Sequence, residues 1–232
     1  MATIGEGIRF PWTSGGRYFY FLVLLIPVVG WVFYLGYLLR VLRSAINGEK
    51  KIPAWGLWGE NFILGLKMFL VVLVWGGLLG LINAFLGFLP VIGVLAVSVL
   101  SIVAGLVIMA LFMQLSERGE LGRGFDISSA FRFTFKDFWN YLLEMIKAMV
   151  VFVIYGLPSV ILGLIAVLVG IASAASVMPQ VLNGNIMALF NSGIVTALVL
   201  YGLSVLVSLF LFPAMIMGSY KLYGDFYRKT KA

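Results

Sequence analysis

Residues 62–86 read FILGLKMFLVVLVWGGLLGLINAFL, and residues 94–115 read VLAVSVLSIVAGLVIMALFMQL. Only Gly87-Phe88-Leu89-Pro90-Val91-Ile92-Gly93 stands between them. Each run exceeds the roughly 20 residues with which a helix crosses a bilayer. The link is too short for anything but a tight turn, so the pair reads as a membrane-spanning helical hairpin with both ends on one side. Residues 145–172 and 192–216 form a second such pair. Their connector, Ser173 to Gly193, is uncharged and holds the turn formers Pro179, Asn183, Gly184, Asn185 and Asn191.

Composition agrees that lipid is the solvent. Of 232 residues, 62% are hydrophobic and 11% charged, and the mean hydropathy is +1.11. Soluble domains carry about 25% charged residues, and a soluble core of this size has no room for so much apolar surface. The length suits a single transmembrane domain, 1–232. Net charge is +7. The Lys and Arg sit at the ends of apolar runs, as cytoplasmic loops facing anionic lipid do. That placement points to the anionic inner leaflet as partner, and away from nucleic acid.

Charge also sets the topology. Arg40 to Glu60, Glu117 to Lys147 and Lys221 to Lys231 hold the charged loops and tail, while the connectors Gly87–Gly93 and Ser173–Gly193 hold none. A plasma-membrane protein with a cytoplasmic C-terminus follows. The first segment, 18–39, is open to two readings. As one helix it measures about 33 Å and crosses. As a hairpin turning at Pro27-Val28-Val29-Gly30 it re-enters, and all 25 charged residues (16 Lys and Arg, 9 Asp and Glu) lie on one side. Re-entrant backbone survives at membrane depth only when packed by other protein. The hairpin satisfies the positive-inside bias without exception and is preferred. Arg9 and Arg17 with no small-residue cleavage site make no ordinary signal peptide, and Phe10, Trp12, Tyr18, Phe19 and Tyr20 suit the headgroup layer.

Two echoes suggest an internal hairpin repeat over 18–49, 62–120 and 145–232. Pro27-Val-Val-Gly30 matches Pro90-Val-Ile-Gly93, and the Gly48-Glu49 that closes one unit matches Gly119-Glu120.

The stretch 123–144 reads as an interfacial helix. Phe131, Phe135, Phe138, Trp139 and Leu142 recur at helical spacing. Arg132, Lys136, Asn140 and Glu144 form a second stripe, and Asp126 or Ser128 is the expected cap. Lys50, Lys51, Trp55 and Trp58 make a shorter basic-aromatic patch. The lipid- or partner-binding candidates are therefore Arg40, Arg43, Lys50, Lys51, Trp55, Arg132, Lys136 and Trp139, each of which also suits a plain surface connector. Gly76 and Gly80, in GxxxG spacing, and Gly156, Gly163 and Gly170, spaced by sevens, are candidates for close helix packing, within the chain or in a homo-oligomer. Lys67, Asn83, Gln114, Glu144 and Lys147 are the strongly polar groups in or near the long runs. Lys67, Glu144 and Lys147 lie close enough to the ends to snorkel. No Asp or Glu lies in the middle third of a run, which argues against a proton-coupled carrier.

Enzymatic signatures are missing. The chain has no Cys and no His, hence no thiolate, imidazole base or Cys/His zinc site. Neither a Gly-x-Ser-x-Gly elbow nor a GxxxxGK[ST] loop occurs. No cofactor and no metal are expected.

Leu35-Gly36-Tyr37-Leu38-Leu39-Arg40-Val41-Leu42-Arg43, then Asn47-Gly48-Glu49, Ile52-Pro53-Ala54-Trp55 and Gly65-Leu66-Lys67 resemble the opening signature of an uncharacterised prokaryotic membrane family, domain of unknown function 4013. Gly56 and Leu57 stand where that family's pattern has acids after Pro-x-Trp. The resemblance implies a multi-span membrane protein and carries no activity or site residues. The expectation is an all-α polytopic protein with four full spans, an N-terminal re-entrant or fifth spanning segment and cytoplasmic-face interfacial helices. Its expected role is non-enzymatic: organising the membrane, or binding lipid or a partner. The alternative is a small channel, carrier or lipid scramblase whose path passes Pro27, Pro90 and Asn83.

Overall fold

A computed structural model describes residues 2–14, 22–24, 26–185, 187 and 192–231. Among them the chain is all-helical, without strands. The α-helices are α1 (Ile4–Arg9), α2 (Val29–Ile46), α3 (Trp58–Gly87), α4 (Pro90–Arg118), α5 (Ile127–Lys136), α6 (Phe138–Leu182) and α7 (Ser192–Lys231). The 3-10 turns include Phe10–Trp12 and Leu121–Phe125. Five of the helices, α2, α3, α4, α6 and α7, are long and apolar enough to cross a bilayer. This is the architecture of a multi-pass membrane protein. Arg17, Tyr18, Phe19, Tyr20 and Asn191, which bear on the N-terminal segment and the last connector, lie outside the described residues.

The chain forms two compact units: Met1–Ala148 together with Met217–Ala232, and Met149–Ile216. In the first, α2 is the enclosed element. Of its apolar window 67% is buried, against 6% for α3 and 17% for α4. So α2 packs on protein, while α3 and α4 turn most of their surface to lipid. Leu39 of α2 meets Leu64, Met68 and Val71 of α3 and Leu115 of α4, all buried. The α2–α3 crossing is set by two glycines. A Cβ on Gly36 would overlap the Asn61 carbonyl oxygen, and one on Gly65 would overlap that of Val32. The backbones touch there, which only glycine permits.

The interruption at Pro27 is present. A turn at Pro27–Val28, with Val28 at φ 59°, precedes α2. The echoed segments share local geometry. A Cβ on Gly30 would overlap the Val23 carbonyl, and one on Gly93 would overlap that of Leu86, seven residues back in each case. Gly48 (φ 80°) closes α2 and Gly119 (φ 69°) closes α4 in left-handed conformation. At Gly48 the Schellman pattern is complete, with Gly48 N–H donating to Ala45 O (3.0 Å) and Glu49 N–H to Ser44 O (2.9 Å).

Two helical boundaries differ from expectation. The helix expected over 123–144 breaks at Asp137 (φ −138°, ψ 57°), where the carboxylate accepts from Asn140 Nδ2 at 2.9 Å. Asp137 thereby starts α6 instead of continuing α5, and the expected stripe of Arg132, Lys136, Asn140 and Glu144 is split. In the other direction, Ser173 to Leu182 is helical, not connector, despite Pro179. A helix in lipid keeps its backbone paired by continuing, and tolerates proline.

Asp126 caps α5, accepting from the Ser129 N–H at 3.1 Å and the Ser129 hydroxyl at 2.8 Å. These bonds, then Arg123, hold its carboxyl below the ordinary aspartate range. The sign follows from the depressed value: the cap is fully present above the ordinary range and is lost as pH falls through the lower, folded-state one. The Ser129 amide resonance should therefore titrate below the pH of a free aspartate, and should not titrate in D126N. A midpoint at or above the ordinary aspartate value would contradict the cap.

In the second unit α6 and α7 pair through small and polar groups. Ser204 Oγ donates to the Ser159 carbonyl at 2.8 Å, and Ala166 and Val177 are buried.

Candidate functional site

The charged residues of the first unit gather at one end of its helices, and they divide into an inward and an outward set. Arg40 and Arg43 face inward. Both reach Glu60, at 3.9 and 3.1 Å. Arg40 Nη1 also donates to Asn61 Oδ1 (3.1 Å) and the Trp55 carbonyl (3.4 Å), and Arg43 Nε donates to the Ser116 carbonyl (2.5 Å). Their side chains are 13% and 28% exposed. These guanidiniums tie the 55–61 segment and the end of α4 onto α2. With these donors engaged, both arginines clamp the fold.

Trp55 also faces inward. It is 7% exposed and lies between Tyr37 (4.9 Å) and Trp58 (5.4 Å). Tyr37 OH donates to the Pro53 carbonyl at 3.1 Å. Lys67 does not snorkel freely, since its Nζ donates to the Gly119 carbonyl at 2.6 Å. Lys50 and Lys51 are exposed.

The outward set lies on α5 and the first turn of α6. Rings run in an unbroken ridge, from Phe131 to Phe135 at 4.3 Å, to Phe138 at 5.5 Å with planes 2° apart, to Trp139 at 5.6 Å. Ile127, Phe131 and Phe135 are nearly half exposed, and Trp139 is 77% exposed. Arg132 and Lys136 are exposed beside the ridge. The opposite face of α5 buries Ala130 and Thr134. Phe133 points inward to Tyr227 (4.8 Å) and Phe226 (5.8 Å) of α7.

Several groups were missed from the sequence. Glu60, Asn61 and Ser116 organise the arginines. Gly36 and Gly65 carry the helix crossing, although both stand inside the quoted family motifs. Lys221, Asp225 and Arg228 sit in what reads as an undifferentiated basic tail, yet Lys221 is 8% and Asp225 6% exposed. Glu144 is a correction. Its side chain is 0% exposed, with Oε1 2.7 Å from Lys147 Nζ, and among the described residues Oε2 has no hydrogen-bond partner.

The five glycines expected to seat a helix divide. A Cβ on Gly163 would lie 3.3 Å from Ser204 Oγ, and one on Gly170 would lie 3.5 Å from Ala197 Cβ. Among the described residues, nothing lies within 4 Å of a Cβ on Gly76, Gly80 or Gly156. Gly156 instead lines an apolar cavity of about 390 Å³ in the second unit, beside Tyr155, Ser159 and Phe212. Among the described residues, no three carboxylates converge as metal ligands would.

A family model described as "Protein of unknown function (DUF4013)" matches residues 19–143, which include the arginine clamps and the ridge. No curated protein and no solved structure matches the chain.

Proposed function

The chain belongs to the DUF4013 family, and from that premise we propose that it is a non-enzymatic lipid-binding or membrane-organising protein whose ridge on α5 seats in the anionic headgroup layer. The observation that supports this is the ridge itself: four contiguous rings, of which Phe131, Phe135 and Trp139 are exposed along with Ile127, with Arg132 and Lys136 alongside. Removing such rings from water stabilises by roughly 1 kcal/mol or more each, and each adjacent cation adds about 1 kcal/mol at an anionic surface. Those gains hold α5 flat against the bilayer. The positive-inside bias argues for the cytoplasmic leaflet at this end.

The test is fluorescence quenching of Trp139 by brominated lipids in reconstituted protein, with the W139F variant subtracted. Brominated phosphatidylglycerol should quench more than brominated phosphatidylcholine, and R132Q/K136Q should equalise the two. An unquenched Trp139, or a preference that survives both substitutions, would refute the reading. A channel or carrier is less well supported. Clefts along α3 and α4 are lined by Leu95, Ala96, Val99 and Leu100, and by Trp75, Leu79, Val103 and Val107. Such walls suit lipid chains, not a hydrated path.

A further inference from the structure

Three segments far apart in sequence meet around a second charged feature of the first unit, a cleft of about 360 Å³. Glu6, Arg9, Phe10 and Thr13 come from α1 and the turn after it, Gly48 and Lys50 from the α2–α3 loop, and Lys221, Asp225 and Arg228 from α7. None lies on α5. Four cations therefore face two carboxylates, and the carboxylates are already engaged. Glu6 closes the capping box of α1, accepting from the Thr3 N–H at 2.7 Å. Asp225 holds Lys221 at 3.1 Å and Arg228 at 3.4 Å. Arg9 and Lys50, by contrast, have no ion pair or hydrogen bond among the described residues, and both are exposed at the rim.

The floor is rigid. Phe10 is 2% exposed, and Lys221 Nζ stands 5.6 Å from its ring centroid while also donating to the Glu49 carbonyl at 3.3 Å. The Arg228 guanidinium lies against the backbone of Gly48, where a Cβ would overlap it. Gly48 is favoured by its φ of 80°, and its missing Cβ leaves the seat for Arg228. A half-exposed guanidinium paired with Asp225, a buried ammonium and two exposed cations form a donor-rich, positively charged recess.

We propose that this cleft is a phosphate-binding site. A tetrahedral anion offers several acceptor oxygens at once, and so can use the Arg9, Lys50 and Arg228 donors together. Charge-assisted bonds to phosphate are the strong class. The ligand is a phosphate group, carried either by a phospholipid at this end of the helices or by a soluble ester. The inference goes beyond the lipid-facing ridge and does not depend on it.

The experiment uses the full chain in neutral detergent, with two arms. Inorganic phosphate is titrated calorimetrically at constant ionic strength, and phosphatidic acid is compared with phosphatidylcholine for retention by native mass spectrometry. One-to-one binding is expected in at least one arm. Binding in the phosphate arm assigns a soluble ligand, and binding in the lipid arm alone assigns a headgroup. R9Q/K50Q, at exposed positions, should weaken it roughly tenfold or more. K229Q, which removes an exposed charge from the same helix outside the cleft, should leave it within about twofold, as screened surface charges do. Absence of one-to-one binding in both arms, wild-type affinity in R9Q/K50Q, or an equal loss in K229Q would each overturn the proposal. R132Q/K136Q should leave the inorganic-phosphate binding, and the part of the phosphatidic acid retention that R9Q/K50Q removes, intact, which separates its failure from that of the ridge.

Discussion

Gly36→Ala and Gly65→Ala are expected to destabilise the first unit by about 3 kcal/mol or more, the upper range for overpacking. In water, alanine in a helix gains up to about 1 kcal/mol over glycine, so the clash must outweigh a favourable term. It does so because the opposing atoms are backbone. A methyl group added to Gly36 would fall on the Asn61 carbonyl and close to Gly65 N (2.7 Å), and one added to Gly65 would fall on the Val32 carbonyl. No rotamer change relieves this. The two helices must move apart, and the Arg40–Asn61 and Arg43–Glu60 bonds lengthen with them. The contrast is Gly76→Ala and Gly80→Ala, where the new methyl meets open space. Those should be neutral or slightly stabilising. Unfolding midpoints in mixed detergent measure all four. Equal midpoints for the two classes would remove the close crossing from the description.

The second large effect concerns Glu144 and Lys147, and it is asymmetric. Removing one partner of a buried pair costs about 3–5 kcal/mol. Lys147 keeps 20% side-chain exposure, while Glu144 has none. Without Glu144, the lysine stem extends its ammonium towards water. Without Lys147, a carboxylate remains enclosed with one oxygen already unpartnered. K147M is therefore expected near 3–5 kcal/mol, and E144M at roughly 1 kcal/mol, closer to the cost of an exposed pair. The double variant E144M/K147M should recover most of the K147M loss, since an apolar pair of similar volume replaces the ionic one. A double-mutant cycle reads this directly. An E144M cost equal to that of K147M, or no recovery in the double variant, would contradict the burial.

What the sequence makes legible is whatever depends on the solvent. Apolar length identifies the four long helices, Pro27 marks the interruption, and the four-residue spacing of Phe131 and Phe135 marks the exposed ridge. What it hides depends on register between helices. Arg40 and Arg43 at the end of an apolar run look the same whether they face phosphate or Glu60. The choice is made by a crossing at Gly36 and Gly65, and neither glycine has a partner glycine at GxxxG spacing. Gly76 and Gly80 have that spacing and face open space. Glu144 sits near a helix end by position, yet helices running past the expected boundaries enclose it. Asp137 interrupts a pattern that periodicity alone continues.

The first unit is built from residues 1–148 and 217–232, with the second unit's residues between them. The ribosome therefore delivers an intervening pair of apolar segments to the membrane before it makes Lys221, Asp225 and Arg228. Until then α1 and the α2–α3 loop lack the stretch of chain that unites them, and Glu117 lacks Tyr227 and Lys231. The contacts that join residues 1–148 to 217–231 therefore become possible only after the residues between them have been made.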